Sequence, residues 1–424
     1  MIWQLFYNTV IIPLGWTVFQ ILRLFDRKVR RGIRGRKGLF DRLTLNVAKL
    51  PEEKKRIWFH SSSLGEFEQA KPIIQGLKQR FPDIQIIVSF FSPSGYDHSR
   101  SYKYANLITY MPFDSRKNAA RFIDIIKPTL AIMVRYDIWP NHVWALRKAG
   151  VPILIANATL RSNTARRFPV IRQFHESIYR AFECILTVSE SDKQAFETFG
   201  LREPRLVVIG DTRYDQVWQR SAESKTRRIF PPHIVEDKKV LVIGSSWQGD
   251  EDVLLPAILK LVNEWNELLV VLVPHEPNVE NLERIEQELN GNVSYIRFSN
   301  LNDYKRERLI IIDSVGILMA LYQYAAVAYV GGGFGAGVHN VLEPAVYGVP
   351  IMFGPKHDTS QEAVLLVKEG AAFSGATSED FLELLNALFR DSELRQRAGE
   401  KAFAFVKNNI GATDRFLSYV EKIL

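Results

Sequence analysis

Short apolar runs alternate along most of the chain with stretches whose apolar residues recur every three or four positions. Runs that read as buried strands lie at 56–60, 84–90, 107–110, 130–134, 153–156, 184–188 and 206–208. Helical periodicity fills the gaps between them, as at 69–80 and 118–126. Near-continuous apolar strands suit a parallel sheet covered on both faces, and their alternation with helices predicts βα units. The stretch 216–239 turns polar, carries Pro231-Pro232 and reads as a linker. A second series follows, with strands at 240–243, 268–273, 309–312, 326–330 and 349–353, helical patterns at 379–390 and 394–408, and a last helix at 412–424. At 424 residues the chain exceeds one ordinary core. The expected fold is α/β, with two Rossmann-like domains facing a cleft. The expected divisions are an N-terminal anchor and basic collar (1–42), a first domain (43–215), a linker (216–239), a second domain (240–408) and a closing helix (409–424). In doubly wound folds ligands sit at the carboxyl ends of the strands, and that is where the distinctive motifs fall.

Residues 1–22 contain no charged side chain, close to the roughly 20 apolar residues that a membrane-spanning helix needs. There is no basic leader and no small-residue cleavage site, so a secretory signal peptide is not expected. Trp3, Tyr7 and Trp16 suit a membrane interface, whereas Gln4, Asn8, Pro13 and Gln20 weaken a spanning segment. Nine basic residues follow between Arg23 and Arg42 against two acidic ones, a local +7 within a net charge of +8. An apolar anchor beside such a collar predicts an anionic membrane surface as partner, with the rest of the chain on the cytoplasmic side. Nucleic acid is not expected, because no aromatic-interleaved basic surface recurs downstream and no zinc or RNP-type motif is present. The single cysteine, Cys184, lies in an apolar run and permits no disulfide framework.

Five glycines fall between Gly331 and Gly337, directly after the strand at 326–330. Glycine lets backbone N–H groups approach a ligand. A helix beginning there and carrying His339, Asn340 and Glu343 would add unpaired donors for a phosphate, with Glu343 suited to ribose hydroxyls. The run also fits the loose pattern G-x-G-x-x-A, but no acid stands at the tip of the next strand, which argues against a dehydrogenase. Gly244, Ser245 and Ser246 follow another strand as a small-residue turn. Asp250-Glu251-Asp252 reads as the acidic first turn of a helix, with a D-x-D metal site as the weaker reading. In LVPHEPN, His275 sits between two prolines at a strand end.

In the first half, HSSSLGEFEQA places Ser63, Gly65 and Glu66 where a strand gives way to a helix. Glu66 is placed to take a proton from an attacking hydroxyl, although a helix N-terminus lowers carboxylate basicity unless burial opposes it. Asp137, in RYDIWPN, and Asn157 and Arg161, in IANATLRSNTARRF, stand at two further strand ends.

Together these motifs resemble the 3-deoxy-D-manno-octulosonic acid (Kdo) transferases. HSSSLGE is similar to that family's H-A-x-S-x-G-E loop, DIWPN to its acidic-x-W-P strand end, and IANATLRSNT to its N-A-R-x-S segment. GDTRYD, GSSWQGDED, LVPHEPN, DSVGIL, VGGGFGAGVHNVLEP and FGPKHD follow in the family's order. The resemblance implies a GT-B glycosyltransferase that moves Kdo from CMP-Kdo to the lipid A precursor, lipid IVA, in lipopolysaccharide biosynthesis. It implies an inverting reaction without metal or other cofactor, at the inner membrane, with Glu66 as general base. Ser245, Ser246, Pro274, His275, Gly316, Gly332, Gly333, Asn340 and Glu343 would bind the donor. Ser63, Gly65, Asp137, Asn157 and Arg161 would lie on the acceptor or sugar side. The chain departs from the family pattern in three places. Arg135-Tyr136-Asp137 replaces an E-x-E, Trp247 replaces a histidine, and an arginine is missing before His275, with Arg213, Arg161 and Lys356 as substitutes. Two rival readings are a GT-B enzyme using a UDP-sugar and a non-catalytic membrane-bound nucleotide-sugar binding protein.

Overall fold

The computed structural model describes residues 2–160, 166, 168–202 and 205–424. It forms two compact units, Met1–Gln216 with Ile410–Leu424, and Val217–Asn409. Each is built on a seven-stranded, wholly parallel sheet.

In the first unit the strands are β1 (Arg56–Ser61), β2 (Gln85–Phe90), β3 (Leu107–Tyr110), β4 (Leu130–Val134), β5 (Ile153–Ala158), β6 (Cys184–Thr187) and β7 (Leu206–Val208). Their order across the sheet is β3-β2-β1-β4-β5-β6-β7. The chain moves outward from β1 on one side and then restarts at β4 on the other, so β1 and β4 flank the switch point where doubly wound folds bind ligands. Alternate side chains feed two separate cores. Trp58, Met133 and Ile155 face one layer, and Ile57, Phe59, Ile132 and Val134 face the other.

The second unit contains β8 (Lys239–Ser246), β9 (Leu268–Pro274), β10 (Tyr295–Arg297), β11 (Leu309–Ile311), β12 (Val327–Val330), β13 (Ile351–Phe353) and β14 (Ala372–Ser374). Their order is β10-β11-β9-β8-β12-β13-β14, which puts the switch point between β8 and β12. The three-residue edge strands β10 and β14 escape the hydrophobic pattern, because only one residue of each is buried.

The segment read as a linker is largely ordered. Helix Thr212–Lys225 runs through its first half, and the two units divide within that helix. The closing helix, Ala412–Glu421, belongs to the first unit. Its Phe416, Leu417 and Val420 are buried with Ile73 and Leu77. Asp215 fixes its start by accepting from Gly411 N–H (2.5 Å), Thr413 N–H (2.7 Å) and Thr413 Oγ1 (2.8 Å). The expected boundary at 42 also falls inside a helix, Leu39–Val47, whose Leu39, Leu43 and Val47 are buried in the first unit.

Ile2–Phe25 forms 24 residues of helix with mean hydropathy 1.5, long and apolar enough to cross a membrane, and most of it is exposed. One face nevertheless docks on the first unit. Tyr7 OH donates to Asp114 (2.9 Å), Asn8 and Asn141 exchange amide hydrogen bonds (3.0 Å each), and Phe19 packs edge-on against Phe91 and Phe113. The basic collar divides similarly. Arg36 is not solvated: it donates to the carbonyls of Met111 and Phe91 (2.7 Å each) and lies over the rings of Phe91, Tyr110 and Phe113. Burial lowers its pKa to about 10. Arg23, Arg27, Lys28, Arg31 and Arg34 remain exposed.

Candidate active site

In the first unit the site forms at the carboxyl ends of β1 and β4. Ser63 caps helix Leu64–Arg80, and Glu66 closes the capping box by accepting from Ser62 N–H (2.6 Å) and Ser63 N–H (3.2 Å) through Oε2. Its other oxygen, Oε1, carries no hydrogen bond among the described residues. Glu66 is only 7% exposed. Burial raises its pKa above the usual carboxylate range. The neighbouring Asp137 charge adds to the rise, while the two backbone N–H groups and His60 oppose it. In the balance between helix terminus and burial, burial wins.

Asp137 has the opposite fate. Burial alone would raise its pKa, but hydrogen bonds from His60, Ser62 and Trp139 together hold it below the ordinary range. His60 Nε2 lies 2.8 Å and Trp139 Nε1 2.9 Å from its Oδ2, which also accepts from Ser62 Oγ. Hydrogen-bond partners set the tautomer of the fully buried His60. Trp58 Nε1 donates to Ser89 Oγ (2.8 Å), which lies 2.9 Å from His60 Nδ1, and the Asp137 carboxylate, which can only accept, requires the N–H at Nε2. Two neighbouring carboxylates thus have their pKa values pushed apart, the pattern that separates a proton acceptor from a fixed charge. His60 was not among the sequence candidates; its place at the head of the HSSSLGE loop was the available signal.

Of the other candidates here, Gly65 has open space where a Cβ would lie. Asn157 does not join the site. It is fully buried at φ +51° and is occupied with Thr212 Oγ1 (2.5 Å) and Gln69 Oε1 (3.3 Å). A polar residue at a strand end can serve the interior as well as a ligand, and here it joins β5 to the start of helix Thr212–Lys225. Arg161 lies outside the described residues. Arg213 is engaged with Asp211 (2.7 Å) and is not a spare cation.

Sequence reasoning also missed Asp114, whose side chain is fully buried behind this site. It accepts from His142 Nδ1 (2.6 Å) and from the N–H groups of Asn141 (3.1 Å) and His142 (3.2 Å), so it anchors helix Pro140–Lys148 directly after Trp139.

In the second unit the ends of β8, β9 and β12 meet. Ser245 adopts φ +56°, a left-handed conformation at a register irregularity of β8. Ser246 is buried and donates to Glu251 (2.6 Å), which is paired in turn with Arg284. Pro274 is buried and His275 is exposed. The His275 N–H donates to Ser246 O (2.8 Å), tying the end of β9 to the irregular end of β8. Gly316 lies in an exposed turn after β11 at φ +82°, with open space around it.

The glycine loop is built differently from the sequence expectation. No helix starts at His339; the first helical turn is Leu342–Ala345, four residues long, so of the three polar residues it carries only Glu343. Pro344, with no N–H to donate, and the left-handed Gly348 confine it to one turn. Most of the loop's own donors are committed. Gly331 N–H bonds Gly244 O (2.8 Å), and Gly335 and Gly337 N–H both bond Gly332 O (2.9 and 3.1 Å). Gly332 N–H donates to Asp250 (2.8 Å). Steric fit requires at least three of the glycines, Gly332 among them, since a Cβ there would overlap Gly337 O. A Cβ on Gly331 would overlap Ser245 O, and one on Gly333 would lie 2.5 Å from Gly354 N.

Asp250 is the organiser of this loop rather than half of an exposed acidic pair. It is fully buried and accepts from Gly332 N–H, from Tyr329 OH (2.7 Å) and from Trp247 N–H (3.0 Å). Among the described residues no group of three His, Cys, Asp or Glu side chains is placed to hold a metal.

Over the loop three rings stack. Trp247 lies on His275 (4.5 Å between centroids), and His275 lies on His339 (4.5 Å, 8° between planes). Trp247 Nε1 donates to His339 Nε2 (2.8 Å). Burial lowers the pKa of His339, the His275 ring lowers it further, and Asp250 opposes both. The tryptophan that departs from the family pattern therefore closes this stack. Asn340 Nδ2 donates to Glu343 Oε1 (3.2 Å) beside the loop. Lys356 is exposed and held against it by its N–H to Gly333 O (2.9 Å).

Residues 33–216 match the family model described as 3-deoxy-D-manno-octulosonic-acid transferase (kdotransferase). A 3-deoxy-D-manno-octulosonic acid transferase of Haemophilus influenzae is 25% identical over 436 aligned positions, covering 100% of this chain and 99% of that one. The chain is similar to the Kdo transferases over its whole length. The Chlamydia pneumoniae transferase is 25% identical over 98% of this chain and 95% of that one, and the Aquifex aeolicus transferase 26% identical over 79% and 86%. Among solved structures, the UDP-GlcNAc 2-epimerase of Neisseria meningitidis superposes with a TM-score of 0.61 at 14% identity, over 87% of this chain and 100% of that one. A putative UDP-N-acetylglucosamine 2-epimerase from Listeria monocytogenes gives 0.60 at 14% identity, over 87% of this chain and 96% of that one. At such identity these two likenesses concern the fold alone, which is GT-B.

Proposed function

We propose that this protein transfers Kdo from CMP-Kdo to a lipid A precursor, lipid IVA, at the cytoplasmic face of the inner membrane, with inversion and without a metal. The observation that carries the reaction type is the unequal carboxylate pair: Glu66, buried and raised in pKa, beside an Asp137 held ionised. The likeness to Kdo transferases along the whole chain supports the sugar. The apolar helix and the exposed basic residues after it support a lipid acceptor.

In the proposed step an acceptor hydroxyl attacks the anomeric carbon of Kdo, and the bond from that carbon to the CMP phosphate oxygen breaks. The hydroxyl proton passes to Glu66 Oε1, while Oε2 stays fixed by the two serine N–H groups. The leaving CMP carries away the bonding electrons, and donors and cations around its phosphate stabilise that charge. Lys356, His275 and His339 stand at the glycine loop for this purpose, in place of the arginine that the family pattern has before His275. Mass spectrometry of the product formed from CMP-Kdo and a tetra-acylated disaccharide bisphosphate tests the assignment. A mass increase of one or more Kdo units is expected. Calorimetry showing that UDP binds and CMP does not would replace it with a UDP-sugar enzyme.

The histidine stack makes CMP-Kdo binding dependent on pH. The free His339 imidazole is neutral near pH 7, because burial and His275 hold its pKa below the usual range. A phosphate beside it would favour the protonated ring and raise its pKa in the complex, with the new proton at Nε2 displacing the Trp247 N–H that this nitrogen accepts in the free protein. Affinity for CMP-Kdo, whose phosphodiester does not titrate near neutrality, is therefore expected to rise as pH falls from about 7.5 to about 6, the range in which imidazoles titrate. Calorimetry in buffers of different ionisation enthalpy should detect proton uptake on binding. An affinity independent of pH, with no proton uptake, would remove His339 from the phosphate site.

A further inference from the structure

A cavity of about 1010 Å³ opens at the N-terminal end of the apolar helix, within the first unit. Trp3 and Gln4 form one wall, and helices Arg116–Ile126 and Pro140–Lys148 form the others. Its lining includes Arg116, Arg147 and Lys148 against one acid, Asp124. None of these three cations takes part in an ion pair or side-chain hydrogen bond among the described residues, so their charge is available to a ligand. Trp3 and Trp144 supply apolar surface beside them. Glu66, His60 and Asp137 are not part of the lining, so this is a second site.

The setting identifies the ligand class. The helix is held against the first unit at Trp3, Tyr7, Asn8 and Phe19, about 24 Å of its length at 1.5 Å per residue. A spanning helix would have to leave the body for about 20 residues. Held at its start and again at Phe19, it instead presents Ile2, Leu5, Phe6, Leu14, Ile21 and Phe25 to the outside. Cations then flank both ends, the collar from Arg23 onward at one and the cavity at the other. An amphipathic helix lying in the membrane interface puts both ends at headgroup depth, which sets the cavity beside the phosphates of the bilayer. Its volume is at the upper end of the roughly 300–1,000 Å³ typical of small-molecule sites, enough for a headgroup and the start of the acyl chains.

We infer that this cavity binds one anionic glycerophospholipid of the bilayer, its phosphate held by Arg116, Arg147 and Lys148 and its glycerol and upper acyl chains against Trp3 and Trp144. The lipid would complete the seat of a helix that lies in one leaflet. The inference rests on the membrane reading above, but not on which sugar is transferred.

The test uses the full chain with the collar intact. Vesicles of phosphatidylcholine alone are compared with a roughly 3:1 mixture with phosphatidylglycerol, for the wild type and for Arg116→Gln/Arg147→Gln/Lys148→Gln. Each interfacial charge contributes roughly fivefold in partitioning. On that basis the triple variant is expected to bind the mixed vesicles about 100-fold more weakly. It should bind phosphatidylcholine unchanged. Native mass spectrometry from detergent should show one phosphatidylglycerol retained per wild-type chain, none on the triple variant, and one on a collar variant, Arg23→Gln/Arg27→Gln. If the triple variant melts below the wild type, Arg147→Gln alone carries the same readout at about fivefold. Transfer to a detergent-soluble acceptor should be unaffected in the triple variant and in Arg147→Gln, which separates this site from the Kdo reading. The inference is overturned if the triple variant keeps its lipid or its vesicle affinity. It is equally overturned if the wild type retains no phosphatidylglycerol, or if glycerol 3-phosphate in solution saturates the site without a bilayer.

Discussion

Glu66→Gln is expected to lower the rate of sugar transfer by about 10²–10⁴-fold, the range that a positioned general base contributes, while the protein stays folded. Glutamine keeps an oxygen to accept from Ser62 and Ser63 N–H, and capping boxes admit Gln as well as Glu at this position. The substitution therefore removes the proton acceptor without removing the cap. Stability should move the other way from activity. A carboxyl whose folded pKa is raised by burial contributes most below its unfolded pKa, and the contribution is lost as pH rises through the folded value. At neutral pH the buried charge is a net cost to the fold, so the variant is expected to melt above the wild type. The same shift places the acid limb of the kcat/KM profile above the ordinary carboxylate range. Asp137→Asn removes a neighbouring charge that helps to raise Glu66, and should shift that limb to lower pH. A Glu66→Gln enzyme that transfers Kdo within a few-fold of the wild-type rate would mean that another group takes the proton.

Asp250→Ala is expected to have the largest effect on the second unit. Asp250 is fully buried and accepts from Gly332 N–H, Tyr329 OH and Trp247 N–H. Truncating it leaves three donors without their acceptor, and those of Gly332 and Tyr329 are buried. Removing one member of such a network typically costs about 3–5 kcal/mol. The damage reaches the candidate donor site directly, because Gly332 carries the glycine loop and Trp247 closes the ring stack over it. Loss of CMP binding together with a lower melting temperature is expected, measured by titration and differential scanning calorimetry. Asp250→Asn should be milder, since it keeps one acceptor oxygen, but its amide must face one of the three donors. An Asp250→Ala protein with wild-type CMP affinity would show that the loop is held by its glycine packing alone.

The periodicity of the chain carried a large part of the fold. Twelve of the strands are near-continuous apolar runs, and residues 1–22 are uncharged. The two strands that escaped it, β10 and β14, are short and partly exposed at the sheet edges, where pairing needs little apolar pattern. The linker at 216–239 misled because polarity marks solvent exposure, and an exposed helix such as Thr212–Lys225 is polar too. At the candidate site, Glu66 was legible from a strand end, a small-residue loop and a helix start. Asn157 was read in the same way and proved to be buried against Gln69 and Thr212, because a strand end alone does not reveal which way a side chain turns.

From sequence alone came two parallel sheets, an apolar helix with a basic neighbour, and the loops in which the chemistry falls, since each depends on residues close together along the chain. Only the folded molecule decided that Glu66 is basic and Asp137 is not. Protonation responds to burial and to partners such as His60, 77 positions from Asp137. It also decided that the glycine loop spends most of its N–H groups on itself, on Gly244 and on Asp250, and that the N-terminal helix lies along the first unit. Each of these follows from contacts between segments distant in sequence, which no local pattern of apolar and polar residues records.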